Sequence, residues 1–60
     1  MELNKTYIIR VNASNKILTY NATIISEDKD FITFIDKFDN TFQYNKNVII
    51  SIEGPINVEN

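Results

Sequence analysis

The 60-residue chain contains few side chains able to do chemistry, and the most versatile are missing. It has no His and no Cys. The commonest general base and the thiol nucleophile are therefore absent. A structural zinc site would lack its usual ligands. Ser14, Ser26 and Ser51 have no activating neighbour in the sequence. The single glycine, Gly54, cannot build a glycine-rich phosphate loop. Three carboxylates cluster at Glu27, Asp28 and Asp30. Their spacing matches no calcium loop and the segment holds no Gly, so it reads as a solvated turn. No catalytic residue, cofactor or metal is expected, and the chain is not expected to be an enzyme.

What remains is binding chemistry. The rings are Tyr7, Tyr20, Phe31, Phe34, Phe38, Phe42 and Tyr44. Exposed rings stack on bases, but in a small β-domain most rings are core. Phe38, within a turn, and Phe31, just after a charged turn, are the expected exceptions. In an up-and-down meander Lys16 and Lys37 fall at one end, and Lys29 and Lys46 at the other. The net charge of −2 excludes a general phosphate-binding surface. Any nucleic-acid contact must be local.

These residues need elements to hold them. Tyr, Phe, Thr, Ile and Val favour strands, and the polar breaks divide the chain into five strand-like runs. The expected runs lie at about 5–11, 17–26, 31–36, 41–44 and 48–53. The segment from Leu18 to Ile24 alternates cleanly, with Leu18, Tyr20, Ala22 and Ile24 on one face. Asn45–Asn47 suits one 3₁₀ turn. Gly54-Pro55 should stop the sheet, because Pro has no N–H to give. Ile56 and Val58 alternate again in a tail over 54–60. The expected architecture is one all-β domain spanning residues 1–60, a small five-stranded SH3-like barrel. Its expected core is Tyr7, Ile9, Val11, Leu18, Tyr20, Ile24, Phe34, Val48, Ile50 and Ile52. Ile8, Ile32 and Ile49 are expected on the opposite face.

A chain this short builds a core worth only about 3–5 kcal/mol unless something staples it. With disulfide and zinc ruled out, self-association is the expected staple. The first residues carry no signal-peptide pattern. No apolar run approaches the roughly 20 residues of a membrane helix. A cytoplasmic location without a membrane partner is expected.

The segment Tyr20–Phe31 resembles the first motif of the Sm-like family of small β-barrels. Ala22 falls at that motif's Gly, Asp28 at its Asp, Phe31 at its apolar position and Ile32 at its Asn. Tyr44–Ile52 resembles the bacterial Hfq branch, with Tyr44 and Lys46 matching and Asn47 in place of a His. The resemblance implies an Sm-like barrel that closes into a homo-oligomeric ring and binds single-stranded RNA at its loops. Asp28, Lys29, Phe31, Lys46 and Asn47 would meet the RNA. Tyr44, Val48, Ile49 and Ile50 would form the interface between copies. The competing expectation is a protein-interaction or structural SH3-like barrel, of viral or plasmid origin, that binds another protein and no RNA.

Overall fold

A computed structural model describes residues 1–57, so the expected alternation at Val58 lies outside the described residues. Five strands form: β1 (Thr6–Ala13), β2 (Lys16–Glu27), β3 (Phe31–Ile35), β4 (Thr41–Asn45) and β5 (Ile49–Ile56). A single 3₁₀ turn, η1 (Lys46–Val48), links the last two. All ladders are antiparallel, in the order β4-β3-β2-β1-β5. The all-β, five-stranded expectation holds. β4 and β5 stand at the two ends of this order and form no ladder with each other, so the sheet is open.

Local chemistry explains the turns. Ser14 and Asn15 join β1 to β2, both at positive φ (50° and 63°). That is the backbone of a two-residue hairpin whose twist matches its strands. The ladder consequently runs out to Ala13 and Lys16, further than the polar composition implies. Asp28 and Asp36 build the next two turns by one device. Asp28 Oδ1 accepts from the backbone N–H of Asp30 and Phe31 at 2.9 and 2.7 Å. Asp36 Oδ1 accepts from those of Phe38 and Asn40, both at 2.9 Å. A side-chain acceptor of this kind takes the place of a backbone turn partner.

β2 serves two ladders. Lys16–Thr23 pairs with β1, and Thr23–Glu27 pairs with β3. Between the Ile24–Phe34 and Ser26–Thr33 pairs, Ile25 has no partner. Such a bulge bends the strand and raises its twist. Tyr7, Ile9, Val11, Ala22, Ile24, Ile32 and Phe34 are buried on one face. No second layer covers that face, so the sheet must curl around it. The aromatic packing fits this curl: the Tyr20 ring centroid lies 4.8 Å from that of Phe42, two strands away.

Half of the expected core is correct: Tyr7, Ile9, Val11, Ile24 and Phe34 are buried, while Tyr20 and Val48 pack against them half-buried. Three expected core residues are exposed: Leu18 at 37%, Ile50 at 53% and Ile52 at 41%. Leu18 faces inward opposite Val11, but it lies on the part of β2 that has no β3 partner to cover it. β5 shifts register: Ser51 pairs with Arg10 and Ile49 with Val11, which leaves Ile50 bulged outward. Ile49 therefore turns to the core, against expectation. Ile52 returns inward opposite Ile9, at an edge with nothing over it. Ile32 is fully buried, because it shares a face with Phe34 two residues on.

The sheet does not stop at Gly54-Pro55; β5 continues to Ile56, which pairs with Thr6. Pro is tolerated there because β5 is an edge strand, so a missing N–H on the outer side breaks no ladder. Gly54 adopts φ 131°, and a Cβ on it would lie 3.0 Å from the Ile56 nitrogen and 3.1 Å from Tyr7 Cδ1. Only glycine tolerates both the angle and the approach.

Candidate interaction site at the mouth of the sheet

The turn between β2 and β3 and the η1 turn meet at one end of the sheet. The Lys46 backbone N–H donates to the Asp30 carbonyl at 2.8 Å. Asp28, Lys29, Phe31, Lys46 and Asn47, expected to meet RNA, are thus brought into one neighbourhood. The charges of Lys46 and Asp28 are already committed. Lys46 Nζ donates to Glu27 Oε2 at 2.8 Å. The Asp28 carboxylate faces its own turn, and the N–H groups of Phe31 and Asp30 hold its pKa below the ordinary value. Asn47 donates its backbone N–H to Asn45 Oδ1 at 2.8 Å, which caps η1. Lys29 is exposed beside Asp28 and Asp30. Acid and base cancel here, and no basic patch forms.

Of the residues expected between copies, Tyr44, Val48 and Ile49 pack half-buried against the chain's own core, and Ile50 is the one on the surface. The Tyr44 hydroxyl is 2.7 Å from that of Tyr20. Burial, then that hydrogen bond, pushes the Tyr20 pKa up to about 12. Such a phenol stays neutral at physiological pH and ties β2 to β4 across the inner face.

Along the β5 edge, beside η1 and the end of β2, the sheet leaves a mouth. It is a cavity of about 360 Å³, lined by Met1, Glu27, Lys46, Ile49, Ile50, Ser51 and Ile52. The bulge at Ile25 builds one wall: it carries Glu27 onto the core face, opposite Ile32. Glu27 binds Lys46 and also accepts from the Met1 amino group at 3.4 Å. The hydrogen bond from Lys46 is the main reason its pKa falls below the ordinary value. The bulge at Ile50 builds the other wall, with Ile49 and Ile52 beside it. Backbone bonds from Asn4 N–H to the Ile24 carbonyl (2.7 Å), and from Ile24 N–H to the Lys5 carbonyl (3.1 Å), hold the first residues against β2.

Sequence reasoning missed Glu27 and Ile52 as members of a site. Glu27 sits in an acidic cluster that reads as a turn, and Ile52 sits in an alternation that reads as core. Only the two bulges place them at the mouth, and neither bulge carries a Gly to announce it. An apolar wall with a few polar groups, in a cavity of this size, is suited to anchoring a partner's side chain. No protein-family model, curated protein or solved structure matches the chain.

Proposed function

We propose that the chain is a non-catalytic protein-interaction module on an SH3-like, incompletely closed barrel, and that its mouth is the binding site. The observation that carries this reading is the apolar-walled cavity beside an edge strand whose outer backbone groups lack a ladder partner. Such an edge offers N–H and C=O groups to an incoming chain, and the adjoining cavity offers specificity. The neutral loop end supports a protein partner over a polyanion. The test is selection from a random peptide library, followed by amide exchange on the complex. Selected peptides should carry an aromatic or aliphatic anchor and should slow exchange along β5 and η1. Protection confined to the β1–β2 hairpin would refute the site.

A second reading, an Sm-like ring on single-stranded RNA, is supported by the strand order and by the two bare edges, β4 and β5. Its test is a salt series with U-rich and A-rich RNA oligonucleotides. Steeply salt-dependent binding, weakened by Lys46→Ala and Lys29→Ala but not by Lys16→Ala, would displace the first reading.

A further inference from the structure

We propose that the free edge of β4 pairs antiparallel with the same edge of a second copy, about a two-fold axis at Gln43. This does not depend on the mouth, which lies along the β5 edge. The two edges of the sheet differ. β5 is interrupted by the bulge at Ile50 and by Pro55, which shorten the stretch open to a further strand. β4 has neither device, pairs with β3 without a register break and carries no charged side chain. At five residues it is of ordinary strand length.

Backbone bonds at the two ends of β4 show which of its groups are free. Asp36 N–H donates to the Asn40 carbonyl at 2.9 Å, and Lys46 N–H donates to the Asp30 carbonyl at 2.8 Å. Asn40 and Lys46 thus turn toward β3. By the alternation of an antiparallel ladder, Phe42 and Tyr44 between them do the same. The N–H and C=O groups of Thr41, Gln43 and Asn45 point the other way, and among the described residues they have no ladder partner. These positions are symmetric about Gln43, so the edge is complementary to itself. In the pairing, Gln43 meets Gln43 of the second copy and Thr41 meets Asn45, each pair exchanging both backbone bonds. Phe42 then falls opposite Tyr44, in the closer, non-hydrogen-bonded pairs. Both rings are only half-buried against the core. The second copy covers their open side, and cross-strand aromatic pairs stabilise a sheet. Charge does not oppose the contact. The η1 end of one strand, where Glu27 already neutralises Lys46, lies beside the β3–β4 turn of the other. An isologous contact of this kind is used up by one partner, so assembly stops at a dimer. It supplies the staple that a core of this size, without a disulfide, calls for.

Charge complementation at one position tests the axis. Gln43 is exposed on the outer face, where its Nε2 donates to Thr33 Oγ1 at 3.3 Å, so substitution leaves the core alone. Circular dichroism checks that each variant folds. In sedimentation velocity, the wild type should show a monomer–dimer equilibrium. Gln43→Lys and Gln43→Glu, each alone, put like charges directly opposite each other and should dimerise at least about 10-fold more weakly. Mixed in equal amounts, they should form a heterodimer. Amide exchange gives a second readout that needs no variant. The N–H groups of Thr41, Gln43 and Asn45 should exchange more slowly as wild-type concentration rises. A wild type that stays monomeric at high micromolar concentration overturns the proposal, and so does an assembly larger than a dimer. Dimers that survive both substitutions, or that fail to return on mixing, overturn it as well, because the contact then lies on another edge or in another register.

Discussion

Replacing Ile32 and Ile50 by alanine, one at a time, tests the register on which the mouth depends. Period-2 reading of the sequence buries Ile50 and exposes Ile32; the structure does the reverse. Ile32 is fully buried opposite Tyr44, so truncation removes its transfer energy and leaves a cavity, at a cost of about 2–5 kcal/mol. A chain of this length, at about 0.05–0.15 kcal/mol per residue, holds only about 3–9 kcal/mol in total. Ile32→Ala should thus lose a large share of the stability, and in the weaker case it unfolds the protein. Ile32→Val, at about 0.5–1.5 kcal/mol, keeps the measurement possible. Ile50 bulges outward at 53% exposure, so Ile50→Ala should stay within about 0.5 kcal/mol of wild type. Urea denaturation followed by tyrosine fluorescence gives both values. Equal losses at the two positions would mean that β5 runs without the bulge, and the mouth as described would not exist.

Gly54→Ala should destabilise by about 1–3 kcal/mol, since alanine must hold φ 131° and its Cβ meets Tyr7 and Ile56; a neutral thermal melt would contradict the close approach. Tyr20 titrates at about 12 in the folded state against an ordinary 10.0, so it contributes stability that is complete below about pH 10 and lost as pH rises through about 12. Tyr20→Phe should flatten that alkaline loss in a pH series of melts, and an unchanged alkaline limb would rule out the hydroxyl pair as its source. Glu27 has the opposite sign: its folded pKa lies below 4.5, so its contribution is present above that value and fades as pH falls through the folded one. Glu27→Gln should therefore lose its disadvantage to wild type in acid, as followed by circular dichroism, and a gap that persists there would assign Glu27 a non-electrostatic role.

Sequence reading worked where one local rule governs. The alternation through Tyr20, Ala22 and Ile24 marks the inner face of β2, and Tyr7, Ile9 and Val11 mark that of β1. Asn45 to Asn47 signals the short turn, which forms at Lys46–Val48. The failures lie where two rules compete. Val48 to Ile52 is a near-continuous aliphatic run, and its pattern cannot say which of two adjacent isoleucines faces in. The outcome is set by the pairing of Ser51 with Arg10, a long-range contact. Glu27 was legible as a charge and not as a wall of the mouth, because its facing depends on an extra residue in β2 with no compositional mark. Closure was expected from the need to hide edges. The structure leaves β4 and β5 unpaired, and the candidate site lies along the bare β5 edge.

The pairing of β1 with β5 joins segments from opposite ends of the described chain, whereas every other ladder joins neighbours. This has a kinetic consequence. Contacts between neighbours zip quickly from their turns, and distant ones wait for the chain to close. β5 is therefore expected to dock last, onto an edge of β1 that the hairpin has already laid down. Substitutions along β5, such as Ile52→Val, should steepen escape from the native state and leave refolding rates nearly untouched. A chevron plot in which Ile52→Val slows refolding would place β5 in the nucleus instead. If β5 is the late arrival, the strand that lines the mouth is also the first to leave. A partner bound there would act as a brake on unfolding, and occupancy would lengthen the lifetime of the whole sheet.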